Sequence, residues 1–423
     1  MSIELIVFIA MLAAFLISAF LFKLPPSIAM VIASVVGGLV SGNGVPLRHL
    51  VEGMFSYVDT ILVITCAMIF MKVIEASGAL EAISSTIVKR FHKNPAILLI
   101  LVMIVIMFPG MITGSSTASV LSAGSIMAPV LLLMGVPVVE TASILAMGGI
   151  LGMIAPPINV PAMIIGGGID IPYVGFGLPL VLLTFPVAIF SVLYLGLKYT
   201  KNLNYAEIEP KLNFEIAKRH GFKIYIPVFV ALILMIVSRA LPQIPDLGMP
   251  LIFLIAAIVG LFTGEKVNIV ETLKSAVKTV LPVLAILMGV GMFIQIMTFT
   301  GVRGLIVSTA ISLPNVLKYL AIAITLPLFG AVSSFGSASV LGVPFLLSFL
   351  GRNQIVTAAA LSLIASVGDM MPPTALAGIF AAKVLNMENY TPVLKKCIVP
   401  IVVLIIWGLL FIIFANQLGS LIV

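Results

Sequence analysis

The sequence predicts an all-α polytopic membrane protein made of two inverted repeats, each with a re-entrant hairpin and discontinuous helices. Hydrophobic residues fill 61% of the 423 positions and charged residues 9%, with a mean hydropathy of +1.30, whereas a soluble globular domain carries about 25% charged residues. Long apolar runs are interrupted by glycine, serine and paired proline. A membrane helix unwinds at such points, because proline has no N–H to donate and clashes with the preceding turn. The interruptions occur twice in one order. Gly114-Ser115-Ser116-Thr117-Ala118-Ser119-Val120-Leu121 precedes Pro156-Pro157-Ile158-Asn159, and Ser334-Phe335-Gly336-Ser337-Ala338-Ser339-Val340-Leu341 precedes Asp369-Met370-Met371-Pro372-Pro373-Thr374. Matching Ala118 with Ala338 gives an offset of 220 (338 minus 118), and matching the proline pairs gives 216 (372 minus 156).

Residues 3–22 form an apolar run long enough for a bilayer core that takes about 20 residues. It lacks a basic start and a small-residue cleavage site, which favours a first transmembrane helix over a removable leader. Lys23-Leu24-Pro25-Pro26 turns the chain into a second span at 27–40. Residues 46–56 mix Arg48, His49 and Glu52 with Leu47, Leu50, Val51, Met54 and Phe55 at amphipathic helical spacing, and 265–278, with Lys266, Lys274 and Lys278, is their counterpart. Both are expected on the membrane surface, as connecting helices or as arms between a fixed and a moving part. Ser77-Gly78 divides 58–92 and Thr300-Gly301 divides 280–313, each time leaving a second limb too short for a good crossing. Re-entrant hairpins with tips near Gly78 and Gly301 are the expectation.

The segments 95–134 and 315–350 contain the Gly/Ser stretches. Forty helical residues would reach about 60 Å, twice a bilayer core, so the chain must change direction or depth there. Spans at 138–168 and 354–385, interrupted by the proline pairs, and closing spans at 176–197 and 398–414 complete the halves. The domain reading is a first repeat at 1–198, a polar linker at 199–223 and a second repeat at 224–423. With each interrupted segment counted once and the hairpins not at all, each half crosses five times, which inverts the repeats. Hairpin tips at the Gly/Ser stretches would instead give an even count and parallel repeats. The net charge of +7 belongs to loops beside membrane helices, not to nucleic-acid binding. A cytoplasmic linker then puts both termini outside and Lys318, Lys395 and Lys396 inside, while Lys89, Arg90 and Lys93 fall outside against the rule. Cys66 and Cys397 lie far apart in apolar sequence and support neither a disulfide framework nor a metal cluster.

Broken helices gather N–H groups at one half-helix end and carbonyls at the other, so two breaks that meet form a site for an anion and a cation. Ser115, Ser116, Thr117 and Ser119, with Ser333, Ser334, Ser337 and Ser339, add hydroxyl oxygens suited to sodium. Small residues also serve close helix packing, but a duplicated break points to a transporter centre. Asp369 is the sharpest single candidate, since an ionisable group in an apolar span is costly unless it holds a cation or proton or pairs with a base. Asn159 offers a donor and an acceptor to substrate, or caps the second half-helix. Lys72 and Glu75 are expected to pair. His49, His92 and His220 have no metal-ligand spacing, so an intramembrane metalloprotease is unsupported.

The run from Gly110 to Pro129, then that from Gly152 to Pro161 with Pro156-Pro157, and Gly166 before the Asp170 loop resemble the large membrane subunit of TRAP transporters, the DctM-type members of the ion transporter superfamily. The second half departs from that family at Phe335-Gly336-Ser337 and Met371-Pro372-Pro373-Thr374-Ala375, which leaves room for a single-component relative. The resemblance implies a sodium-driven elevator in the inner membrane, a transport domain moving against a scaffold, with no enzymatic activity and no cofactor beyond coupling sodium ions. It implies a small organic anion, a carboxylate in type, as cargo. A small membrane subunit and an extracytoplasmic substrate-binding protein are the implied partners. The implied sodium residues are Ser77, Gly78, Ser115, Ser116, Thr117, Thr300, Gly301, Gly336 and Ser337, with Asp369 added from its position. The implied substrate turns are Pro156, Pro157 and Asn159, and Pro372, Pro373 and Thr374. A proton-coupled carrier or exporter using Asp369 is the rival within the class, and a membrane scaffold or intramembrane enzyme the rival outside it.

Overall fold

The computed structural model describes residues 2–200, 214–240, 247–372 and 375–422. Pro373, Thr374 and most of the predicted 199–223 linker lie outside the described residues. All regular elements among the described residues are helical. The first half opens with α1 (Ile3–Leu16, extended by a π turn to Leu21) and α2 (Pro26–Val40), packed on each other. α3 (Leu47–Phe55) leads into α4 (Val58–Ala76) through a 43° bend, and α5 (Ala79–Phe91) follows Gly78. Next come α6 (Pro95–Thr113), then α7 (Ser116–Ser119), which a π turn joins to α8 (Ser125–Leu133). α9 (Val138–Ile154), α10 (Val160–Gly167) and α11 (Gly177–Gly196) close the half.

The second half repeats this order. After a short α12 (Phe214–His220) come α13 (Ile226–Ala240), α14 (Gly248–Gly260) and α15 (Ile269–Phe299), the last a single helix with Pro282 inside it. α16 (Val302–Ser312) matches α5, α17 (Asn315–Gly330) matches α6, and α18 (Ser334–Ser337) passes through a third π turn into α19 (Val343–Leu347). α20 (Gln354–Ser366), α21 (Leu376–Val384), α22 (Thr391–Ile413) and α23 (Ala415–Ile422) end the chain.

The hairpins stand at the Gly/Ser stretches, not at Gly78 and Gly301. After Gly114 the chain folds back so that Ser119 Oγ donates to Met107 O at 3.4 Å, and in the second half Ser337 Oγ donates to Leu326 O at 2.6 Å. The turns at Gly78 and Gly301 both take left-handed backbone (φ +78° and +76°) and lead into the short helices α5 and α16. A short, polar-flecked limb suits a connecting arm as well as a hairpin limb, which is why sequence alone misplaced them. The segments expected as arms, around 46–56 and 265–278, are instead the opening turns of the long bent helix α3–α4 and of α15.

The relocated hairpins leave the inversion intact. Each half now crosses through five units: α1, α2, α3–α4, α9–α10 and α11 in the first, and α13, α14, α15, α20–α21 and α22 in the second. The two hairpins therefore enter from opposite faces. Contacts agree at both ends. One end joins Thr86 to Tyr225 (2.7 Å), Ser77 O to Glu265 N (3.1 Å) and Glu140 to Lys396 (2.8 Å). The other stacks His49 on Phe299 (4.0 Å between ring centres), donates Arg303 to Gly168 O and ties Asn416 to Gly351 O (3.1 Å). Among the described residues the first end carries Lys89, Arg90, Lys93, Lys198, Lys266, Lys395 and Lys396 and the second Arg48, Arg239, Arg303, Lys318 and Arg352, so the positive-inside rule favours a cytoplasmic first end, with both described termini outside. This moves Lys318 to the outside and brings the Lys89 cluster into line with the rule.

Packing sorts the helices into two groups. α1 to α4 pack with α13 to α15, while α6 to α11 pack with α17 to α22, and α5 and α16 touch both. Within the second group the first hairpin limb crosses the broken helix at a pair of glycines in each repeat. A Cβ on Gly152 would lie 2.5 Å from Met107 O, and one on Gly330 would lie 2.7 Å from Gly368 Cα.

Candidate functional site

Each hairpin tip is organised by a serine cap. Ser115 Oγ accepts from Ala118 N (3.2 Å) and Ser333 Oγ accepts from Gly336 N (3.2 Å), which starts the return limbs at Ser116 and Ser334. The capped ends stand 218 residues apart (333 minus 115), two fewer than the Ala-Ser-Val-Leu match suggests. Sequence matching paired Ser116 with Gly336. The structural partner of Ser116 is Ser334.

These two serines meet on one side chain. Asp369 sits in the 3-10 turn Val367–Met370 that ends α20, where Oδ2 accepts from Ser116 Oγ and Oδ1 accepts from Ser334 Oγ. It is 6% exposed, and no Lys, Arg or His forms an ion pair with it among the described residues. What stabilises it is the pair of hydroxyls and the N-terminal ends of two return limbs, whose free N–H groups and dipoles favour negative charge. The equivalent position in the first repeat, by the proline offset, is Met153 (369 minus 216), so the site takes its carboxylate from one repeat only.

A cavity of about 780 Å³ opens over this carboxylate. Ser115, Ser116, Thr117, Ser333, Ser334 and Asp369 supply part of its polar lining, and Met153, Phe335 and Phe380 part of its apolar one. Its far wall is Met68, Met71 and the paired Lys72 and Glu75 (2.7 Å) of α4, with Pro282 and Val283 of α15. Glu81 lines it too. The cavity thus lies between the two packing groups.

Of the residues singled out in the sequence, Ser115, Ser116, Thr117, Ser333, Ser334 and Asp369 are brought together here. Gly336 and Ser337 stand behind the tip, Gly336 against Met30 and Ser337 bonded to Leu326 O. The four turn residues are elsewhere and line no part of the cavity: Ser77 Oγ donates to Ile74 O (3.2 Å), Gly78 packs on Ile216, Thr300 Oγ donates to Ile296 O (2.8 Å) and Gly301 lies by Glu4. Pro156 and Pro157 form the break between α9 and α10, and Pro372 the described start of its counterpart, but none of them lines the cavity. Asn159 is fully buried and spent on structure: its Oδ1 caps α10 from Ala162 N (2.8 Å), while Nδ2 donates to Ile154 O (2.9 Å) and Ser362 Oγ (2.8 Å). Ser334, one of the hydroxyls singled out in the sequence, falls outside the implied sodium set because the repeated tetrapeptide sets a register that puts Gly336 in its place. The matching signal was a serine three residues ahead of the capped N–H, as in Ser115 to Ala118 and Ser333 to Gly336.

Inverted repeats, discontinuous helices and two hairpin tips that share one buried carboxylate define a secondary transporter of the broken-helix class. Residues 4–418 match the tripartite ATP-independent periplasmic transporter, DctM component, and the chain belongs to that family, whose members are integral inner-membrane transporters. Among solved structures, the chain is similar to the Alcanivorax borkumensis YdaH transporter, described as having an unusual topology, at 15% identity and a TM-score of 0.57 over 86% of each chain. It is also similar to Neisseria gonorrhoeae MtrF, described as illuminating a class of antimetabolite efflux pumps, at 16% identity and a TM-score of 0.58 over 87% of this chain and 83% of that one. At such identities the likeness is one of fold. No curated protein matches the chain.

Proposed function

We propose that the chain is the permease of a sodium-coupled carrier for a small organic anion, and that the coupling cation binds at Asp369. The observation that carries this is the buried carboxylate with two serine hydroxyls and no basic partner. A lone ionised group inside a membrane protein is costly, so the site favours a companion cation. Asp369, Ser116 and Ser334 offer the hard oxygen ligands that sodium takes, and the rest of its shell would come from backbone carbonyls and cargo.

The same charge supplies the coupling. An anion entering the cavity some 4 Å from an ionised carboxylate is repelled by about 4 kcal/mol at an effective dielectric of 20. Cation binding removes that penalty, so ion and anion favour each other. The cavity wall of α4 and α15 against the hairpin tips is consistent with an elevator, in which the hairpin group slides along a fixed group. As a DctM component the chain is expected to work with a small membrane subunit and an extracytoplasmic binding protein.

A proton is the second candidate for the coupling ion, because it too would neutralise a carboxylate that is buried without a basic partner. Thermal unfolding of the purified chain in detergent, in sodium chloride against choline chloride from pH 5 to 8, separates the two. Sodium is expected to raise the midpoint of the wild type, and Asp369→Asn to abolish the response. An Asp369-dependent response to acid alone assigns the proton. No Asp369-dependent response to either ion refutes the site.

A further inference from the structure

We propose that a basic pocket at the outer base of the second hairpin binds a phosphate-bearing anion, the headgroup of an acidic lipid. The pocket has a volume of about 400 Å³ and lies between the start of α17, the loop after α19 and the junction of α22 with α23. Its charged lining is Lys318 and Arg352, and its other polar side chains are Asn315, Ser348, Asn416 and Gln417. No carboxylate lines it, and the sequence has none between Glu271 and Asp369.

The two cations differ in what else they do. Arg352 closes the end of α22, donating to Ile412 O and to Ile413 O (2.7 Å), and its other arm donates to Tyr319 Oη (2.6 Å). These bonds use three of a guanidinium's five N–H groups and explain the residue structurally. Lys318 has no such explanation. It is 7% exposed, its Nζ stands 5.7 Å from the Phe349 ring centre, and it forms no ion pair among the described residues. A lysine is seldom so covered without an anion at its ammonium, and this ammonium opens into the pocket. Two cations facing one cavity repel each other until a multivalent oxyanion sits between them.

The rim indicates where that anion comes from. Val316 (69% exposed), Leu350 (56%), Phe414 (49%) and Leu421 (79%) surround the pocket's elements with apolar surface, and α23 carries a polar and an apolar face beside it. Helix ends at the membrane surface, with a basic hollow inside an apolar collar, match a phosphate at headgroup depth with acyl chains along the collar. This site is separate from the Asp369 cavity and does not depend on the transport reading.

The test is thermal unfolding of the purified full chain in neutral detergent, at constant ionic strength, with phosphatidylglycerol, phosphatidylcholine or inorganic phosphate added. Phosphatidylglycerol is expected to raise the midpoint and phosphatidylcholine to leave it unchanged, with Lys318→Met weakening the apparent affinity for phosphatidylglycerol at least tenfold. A Lys318-dependent response to inorganic phosphate as well supports the pocket and assigns its anion to solution. Where Lys318→Met does not fold, Asn315→Asp places a carboxylate on the lining without emptying it, and the response should be lost. No response to either anion, or a response that survives these variants, overturns the proposal.

Discussion

Asn159 closes both ends of a broken helix with one amide, accepting from Ala162 N and donating to Ile154 O, and it ties the first repeat to Ser362 of the second. Removing it leaves a buried N–H and a buried carbonyl without partners. A lost N-cap costs about 1 kcal/mol and a buried unsatisfied group about 1–3 more. Asn159→Ala should therefore lower the thermal midpoint in detergent, and Asn159→Ser, which keeps the cap but loses the reach to Ile154, should recover part of the loss. An unchanged midpoint for Asn159→Ala would mean that the break is held by other bonds. In sequence, Asn159 was ambiguous because the same donor and acceptor serve a substrate or a cap. Asp369 was legible because a charge in an apolar span has few cheap explanations. Both serine partners were legible as hydroxyls, but a repeat register that counts identical letters and not capped turns set Ser116 against Gly336 and left Ser334 out of the implied sodium set.

At the scale of elements, each hairpin is pressed onto the broken helix through glycine, and the spacing of these glycines repeats across the halves. Gly110 faces Gly152 and Gly330 faces Gly368, matching the 220 and 216 offsets already visible in the sequence. A methyl on Gly152 or Gly330 meets backbone, which has no rotamer to yield. Overpacking of this kind costs about 1–3 kcal/mol. Gly152→Ala and Gly330→Ala should each lower the thermal midpoint, whereas Gly351→Ala, whose Cβ would meet nothing within 4 Å, should leave it unchanged. Equal midpoints for all three would show that the crossings open without cost. Apolar runs and breaks were readable, because length and hydropathy set what a membrane span must be. Which break reverses the chain was not, since that depends on whether the following limb returns along its predecessor. The bonds from Ser119 to Met107 O and from Ser337 to Leu326 O record that return, and no local propensity encodes them.

For the molecule as a whole, the inversion rests on counting crossings, and its sharpest consequence is that α5 and α16 lie on opposite faces. Inversion survived the misplaced hairpins because each half exchanged one uncounted hairpin for another and kept five crossings. What changed is the fit to charge: the Lys89, Arg90 and Lys93 cluster now shares a face with Lys198, Lys395 and Lys396, so one orientation accounts for most of the loop cations. Labelling in intact cells tests this directly. Cys66 and Cys397 are buried and should stay silent, while Lys93 and Ser312 are exposed and close to the ends of α5 and α16. A membrane-impermeant maleimide should react with Ser312→Cys in intact spheroplasts and with Lys93→Cys only after permeabilisation. Reaction of both from outside, or of neither, would place the two arms on one face. The hairpins would then enter side by side, and two tips converging on Asp369 from opposite faces, the geometry that lets one carboxylate sense both halves of the carrier, would be lost.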